Sequence, residues 1–270
     1  GFEIGSPRGH QVMAPINNLP VALTIAGSDS GGGAGLQADL RVFQAAGVHG
    51  TSVVTALTAQ NPKKVRATEP VKAKLVQEQL ESVFDGFKVK AAKTGMLLTA
   101  ANVERVAEWF AKRKIPLVVD PVIISTSGAV LLKANAIKSL RKNLLPVATL
   151  VTPNIPEAEQ LAGMKVRNQN EQQTAARALY ESSGCSVLLK GGHLSGRQAV
   201  DVYFDENGAR VFSAQRVKTR QLPGTGCFYS AWITAGLAKG KDLLSGIRVA
   251  KKRMTAAIGN PRQAGCQTLL

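Results

Sequence analysis

The turn Pro223-Gly224-Thr225-Gly226 runs directly into Cys227 and then into a stretch of small and apolar residues reaching Gly236. At the start of a helix the first N–H groups have no intrahelical acceptor, and the helix dipole adds positive potential at the same end. Gly224, Thr225, Gly226 and Cys227 can therefore turn their N–H groups onto one point, an anion hole for a phosphoryl group in transit. The same field is expected to lower the pKa of Cys227 and equip it as a base. A small buried cysteine at a tight helix start accounts for these residues equally well.

Other chemistry-bearing residues stand just behind strand-like runs. "AGSDSGGGAGLQADL" (26–40) follows an apolar run and carries Gly27, a cluster of glycines and Asp39. Glycines there let the backbone approach a ligand closely, although many such loops are merely tight turns. The spacing suits neither a Rossmann fingerprint nor a P-loop, which requires a terminal Gly-Lys-Ser/Thr. Gln60 in "TAQNP" both donates and accepts, which suits an aminopyrimidine edge; a polar loop residue is the plainer reading. Met96 in "KTGML" can pack on a flat ring or simply fill a core. Asp120 ends "VVDPV", where its carboxylate can hold a magnesium-bound water or cap a turn before Pro121. Asn154 and Glu157 stand three apart in "TPNIPEAE"; both can face phosphates and Mg2+, and both also fit a helix capping box. Lys190 closes "VLLK" beside two glycines, placed for a phosphate oxygen, and His193 follows as a lone histidine.

These residues must be positioned by alternating strands and helices. Strands are expected at 21–27, 51–57, 115–120, 148–152 and 186–192, with a hairpin turning at 205–208. Apolar residues at helical spacing mark helices around Leu36–Phe43, Ala73–Val83, Val103–Phe110 and Ile137–Leu144, one after Cys227 and one through Ala250, Met254 and Ala257. Such alternation implies an α/β fold with a mainly parallel sheet covered on both faces. Sites in these folds lie beyond the carboxyl ends of the strands, where the residues above stand.

The composition narrows the function classes. Hydrophobic residues form 44% of the chain and charged ones 19%, ordinary for a globular protein. The net charge of +16 suggests nucleic acid at first sight, but the basic residues are scattered and aromatics reach only 5%. A phosphate-friendly surface without nucleic-acid binding is the expectation. No apolar run is long enough to span a membrane. Residues 1–20 read as a tail without a hydrophobic signal core, and residues 21–270 as a single domain. Cys185, Cys227 and Cys266 are odd in number and far apart, which points to a reducing, cytoplasmic setting without disulfides.

Taken together, "AGSDSGGGAGLQADL", "TALTAQN", "TGML", "TPNIPEAE", "LLKGGH" and "GTGC" resemble, in order and spacing, the hydroxymethylpyrimidine phosphate kinases of the ribokinase-like superfamily. The resemblance runs from about Val21 to the helix after Cys227. It implies a three-layer ribokinase-like domain with a short lid and a homodimeric assembly. It also implies transfer of the ATP γ-phosphate to 4-amino-5-hydroxymethyl-2-methylpyrimidine and then to its monophosphate. On that basis Gln60 reads the pyrimidine, Met96 packs on its ring, and Gly27 and Asp39 line the same pocket. Lys190 touches ATP phosphates, and Asn154 and Glu157, with Asp120 nearby, organise Mg2+-ATP through water. Gly224, Thr225 and Gly226 form the anion hole with Cys227, which stands in for the aspartate base of sugar kinases. Pro223 and Phe228 replace the family's usual His and Thr, and "NPRQAGCQTLL" departs from its usual ending. A pyridoxal kinase on the same scaffold is the alternative enzyme; Ser125, Thr126 and Ser127 in the lid loop, where such relatives carry a second cysteine, argue against it. A basic binding protein with reduced turnover is the alternative outside catalysis.

Overall fold

Alternation of side chains along the strands divides the apolar residues between two faces of one sheet. In a computed structural model, which describes residues 18–124, 128, 130–217, 222–264 and 267–270, the first strand, β1 (Val21–Asp29), shows this directly. Leu23 and Ile25 enter one core cluster while Ala22 enters another on the opposite face. Leu117 and Val119 of β5 (Leu117–Val119) join the first cluster, and Val118 faces the other way. The remaining strands are β2 (His49–Asn61), β3 (Lys64–Pro70), β4 (Val89–Thr94), β6 (Leu150–Val151), β7 (Ser186–Leu189), β8 (Gln198–Asp205) and β9 (Gly208–Gln215). They form a nine-stranded sheet in the order β3-β2-β1-β4-β5-β6-β7-β8-β9. From β2 through β1, β4, β5 and β6 to β7 every neighbouring pair is parallel; the pairs at the two edges are antiparallel.

Helices cover both faces. The helices α2 (Ala73–Gly86), α3 (Ala100–Ala111), α4 (Ala134–Ser139), α5 (Ile155–Ala162) and α6 (Gln169–Ser183) contribute Val76, Leu80, Val103, Ala136, Leu161 and Leu179 to the first cluster. On the other face, α1 (Gly35–Ala45), α7 (Thr225–Ala238) and α8 (Leu243–Gly259) pack Phe43, Ile233 and Ile247. This is the three-layer α/β architecture that the resemblance implies. Among the described residues no helix is long and apolar enough to cross a membrane.

The structure corrects some boundaries. β2 continues to Asn61, so Gln60 belongs to a strand paired with Val65 of β3 rather than to a loop. β3 gave no alternation to read, because it is an edge strand whose Lys64, Arg66 and Glu69 remain exposed. α6 also escapes a periodicity search, since its buried stripe is largely Ala175, Ala176 and Leu179 within a polar sequence. The "NPRQAGCQTLL" ending includes a short antiparallel pair, β10 (Arg262–Ala264) with β11 (Gln267–Leu269). Residues 1–17 of the expected tail, Ser125, Thr126 and Ser127 of the expected lid loop, and Cys266 lie outside the described residues.

Candidate active site

The carboxyl ends of the parallel strands open into a cavity of about 880 Å³. Of the residues singled out by sequence, Gly27, Gln60 and Met96 line it, as do Asp120, Asn154, Glu157 and Lys190, and the turn Gly224 to Cys227. Asp39 does not.

At one end the wall is apolar and shaped by backbone. Met96 lies over Gly27, where a Cβ would overlap its terminal methyl. Its loop is pinned from below: Thr55 Oγ1 donates to the Met96 carbonyl at 2.6 Å, and Asn102 Nδ2 donates to the carbonyls of Thr55 and Leu97. Leu98 sits just beyond with φ 66°, a left-handed conformation that a leucine adopts only when its surroundings hold it there. The Gln60 backbone is held by Ser30, whose hydroxyl accepts from its N–H and donates to its carbonyl, each at 2.8 Å. The glycine-rich loop is organised by Asp29, whose carboxylate accepts from the N–H groups of Gly31 and Ala34.

At the other end the wall is charged. Asp120, just after β5, accepts from Lys190 Nζ at 3.0 Å, Thr152 Oγ1 at 3.2 Å and Ser230 Oγ at 3.4 Å. Burial alone pushes the Asp120 carboxyl up; the Lys190 and Lys93 ammonium groups and the hydrogen bonds from Lys190 and Thr152 outweigh it and hold it below the usual value. Asn154 and Glu157 form the capping box of α5: the Glu157 N–H donates to Asn154 Oδ1 at 2.9 Å and the Asn154 N–H donates to Glu157 Oε2 at 2.8 Å. Burial pushes Glu157 up to about 7 against the pull of Lys190, with the Asp120 carboxylate adding to the rise. His193 lies in the same wall; partial burial, followed by the Lys190 and Arg216 cations, keeps its imidazole below its ordinary value.

Between the two ends, α7 is preceded by its cap Gly224, whose φ of 80° favours glycine. A Cβ there would also overlap the Gly33 carbonyl, so the turn seats directly on the glycine-rich loop. A Cβ on Gly226 would stand 3.3 Å from both Asp120 Oδ2 and Lys190 Nζ. The small residues thus bring the first-turn N–H groups of α7 close to the Asp120–Lys190 pair. The Phe228 N–H closes the turn onto the Gly224 carbonyl at 2.8 Å. The Phe228 ring, on the far side of the helix turn, packs against Trp232 with centroids 6.1 Å apart.

Two expectations are corrected. Asp39 is no pocket wall: it is fully buried, with Lys93 Nζ at 2.8 Å and Thr24 Oγ1 at 2.7 Å. An aspartate on the inner face of α1 is aimed at a strand, and the lysine of "KTGML" meets it there. Cys227 is also not a low-pKa thiolate. Burial pushes its thiol up to about 12; the Lys93 ammonium pulls it down, Asp39 and Asp120 push it up again, and a Gly35 N–H helps to lower it. A helix terminus offers only a fraction of a charge, too little to offset lost hydration beside carboxylates.

Sequence reading passed over Thr152, Ser230, Asp201, Tyr229 and Lys251. Asp201 accepts from Gly191 N–H, Tyr229 Oη and Lys251 Nζ, at 3.0, 2.9 and 2.7 Å. The available signal was an aspartate in the inward register of the apolar run "AVDVYF", where an unpaired carboxylate would be costly.

A phosphoryl-sized anion at the start of α7 would have a lysine on one side and an apolar, hydrogen-bonding pocket on the other. A family model described as phosphomethylpyrimidine kinase matches residues 29–269. A hydroxymethylpyrimidine/phosphomethylpyrimidine kinase of Rhizobium meliloti is 45% identical over 239 residues, 88% of this chain and 90% of the relative. The solved phosphomethylpyrimidine kinase of Clostridium difficile superposes with a TM-score of 0.78 at 41% identity, covering 88% of this chain and 99% of that one. An ADP complex of Bacillus subtilis pyridoxal kinase superposes with a TM-score of 0.86 at 35% identity, covering 93% and 97%. With its architecture, its cavity and these relatives in agreement, the chain belongs to the phosphomethylpyrimidine kinase family and is a kinase.

Proposed function

We propose that the chain phosphorylates the hydroxymethyl group of 4-amino-5-hydroxymethyl-2-methylpyrimidine, and then the resulting monophosphate, with ATP as donor, in the supply of thiamine precursors. The observation that carries this reading is the single cavity joining the Gln60–Met96 end to the Lys190–Asp120 end across the first turn of α7. Gln60 pairs with the amino edge of the ring, and Met96 above Gly27 gives it a flat apolar floor. The N–H groups of Gly224 to Cys227 hold the phosphoryl group as it passes, and Lys190 neutralises the phosphates.

In the first step the hydroxymethyl oxygen bonds to the γ-phosphorus, the bond from that phosphorus to the β–γ bridging oxygen breaks, and ADP leaves with the electron pair. The hydroxyl proton passes to Cys227, for which the thiolate is the working form; burial keeps that form scarce near neutral pH, and the Lys93 charge offsets this only in part. The second step, attack by a phosphate oxygen, needs no proton acceptor at neutral pH.

The oxygen donors suit magnesium held through its own waters. Among the described residues no cluster of three or more His, Cys, Asp or Glu encloses a metal. Asp120 and Glu157, already paired with Lys190 and Asn154, fit an ion carried by the nucleotide phosphates rather than a fixed site. When bound, the ion would supply neutralisation of phosphate charge, and Asn154, Glu157 and Asp120 would hold it through its waters.

ADP release measured with hydroxymethylpyrimidine, its monophosphate and pyridoxal tests the assignment. Turnover of both pyrimidines well above pyridoxal is expected. The likeness to a pyridoxal kinase makes pyridoxal the competing substrate, and its preference would reverse the reading. Gln60→Ala should cost about 1–3 kcal/mol in pyrimidine binding and leave ATP affinity unchanged; unchanged pyrimidine affinity in calorimetry would remove Gln60 from the ring.

A further inference from the structure

The cluster around Asp201 lies beside the residues given roles above and is used by none of them. Its three partners come from three different elements. Gly191 is in the turn after β7, immediately beyond Lys190; Tyr229 is on α7, two residues beyond Cys227; Lys251 is on α8. Both carboxylate oxygens are occupied: Oδ1 accepts from the Gly191 N–H, and Oδ2 accepts from Tyr229 and Lys251. Asp201 is 2% exposed and Lys251 9%, so this pair is held almost out of water.

The Gly191 turn has little freedom otherwise. A Cβ at Gly191 would overlap the Val200 carbonyl, so the turn lies flat against β8. Gln172 Nε2 donates to the carbonyls of Leu189 and Val200, tying β7 to β8 just before the turn. The Lys190 N–H donates to the Pro153 carbonyl at 2.8 Å, fixing its main chain beside Asn154. Beyond Gly191, Arg216 donates to the carbonyls of Gly192, Leu194 and Gly196 and closes the loop. Through Asp201, the Gly191 N–H links this loop to α7 and α8.

We propose that Asp201, held by Tyr229 and Lys251, is a positioning residue that keeps the Lys190 turn in register with the anion-hole end of α7, so that both meet the same nucleotide phosphates. The inference rests on the reading of Lys190 as a phosphate contact. A neutral acceptor would serve the Gly191 N–H alone. The carboxylate joins the turn to two helices at once, because one oxygen stays on the turn while the other takes the tyrosine and the lysine.

The test uses the full chain with Asp201→Leu/Lys251→Met, an uncharged, near-isosteric replacement that leaves no buried charge unpaired, and with Asp201→Asn, which retains an acceptor for Gly191. ATP affinity is read by calorimetry, and KM for ATP and for the pyrimidine by steady-state kinetics. The double variant should raise KM for ATP about tenfold and shift KM for the pyrimidine less than about twofold, while Asp201→Asn, which keeps the Gly191 acceptor but loses the link to Lys251, recovers only part of the loss. In a Lys190→Ala background the Asp201 substitution should add less than about twofold, since its effect passes through Lys190. A folded double variant with the parent's ATP affinity overturns the proposal, as does an undiminished loss in the Lys190→Ala background. If Lys190→Ala itself binds ATP like the parent, the reading of Lys190 falls as well. If Lys190→Ala is impaired and the Asp201 variants are not, this inference alone is wrong.

Discussion

Asp39–Lys93 and Asp120–Lys190 are two aspartate–lysine pairs of nearly equal length, 2.8 and 3.0 Å, near the same end of the sheet. Both side chains of the first are 0% exposed, whereas Lys190 and Asp120 are 13% and 3% exposed and line the cavity. A sealed pair cannot exchange its partner for a ligand, so it braces α1 against β4. An open pair can: on the proposed reading, a phosphate arriving beside Lys190 would replace the carboxylate as a counter-charge. Burial thus divides chemically identical pairs into scaffold and site. Cys227 feels both, its thiol acted on by Lys93 and Asp39 of one pair and by Asp120 of the other.

The comparison breaks first at Cys227. Cys227→Ser should lower kcat about 10²–10⁴-fold, the usual range for loss of an acid–base group, with nucleotide affinity retained. Because burial holds the thiol up near 12, the thiolate fraction grows as pH rises. The parent's kcat should therefore climb between pH 7 and 9, up to about tenfold per unit, and the serine variant's should not. A flat parent profile assigns the proton to another acceptor.

The next contrast separates the pairs themselves. Lys93→Met leaves a sealed carboxylate unpaired and should destabilise the fold by about 3–5 kcal/mol in urea denaturation, with Asp39→Asn/Lys93→Met recovering much of it. Lys190→Met, at the cavity, should act chiefly on KM for ATP. Comparable loss of stability from both would erase the distinction between brace and site.

A milder substitution sharpens it. Gly226→Ala places a methyl 3.3 Å from both Asp120 and Lys190, so this pair must give way by a few tenths of an ångström. We expect a loss of about 1 kcal/mol in kcat/KM with near-parent stability, the cost of a small misplacement in a packed site. Parent-like kinetics would mean that the pair's geometry tolerates more than its distances suggest.

The smallest effect concerns pH and stability. Glu157 is pushed by burial to about 7 from an ordinary value of 4.5, so over that window the folded chain keeps a proton that the unfolded chain has lost. Stability from this group therefore falls as pH rises across the window. Glu157→Gln should remove that contribution, which appears as a difference in Tm slope between parent and variant from pH 4.5 to 7. Parallel slopes would place the Glu157 carboxyl in ordinary hydration.

Much was written in local sequence. Gly224 needs a left-handed turn, Asn154 and Glu157 have capping-box spacing, and the alternation of β1 with α1 and of β7 with its glycines announces strands feeding loops at one sheet edge. These features depend on neighbours within a few residues, so the chain order itself encodes them. The partners of Asp39, the state of Cys227 and the Asp201 cluster were not legible, because each depends on residues far apart in sequence. Lys93 meets Asp39 across 54 positions, Lys190 meets Asp120 across 70, and Lys251 meets Asp201 across 50. Residue types and local turns thus determined which groups were available for phosphate chemistry. Packing alone decided which carboxylates were sealed, which remained open to a ligand, and whether a thiol at a helix start kept its proton, since desolvation and long-range charge pairing exist only once the layers have closed.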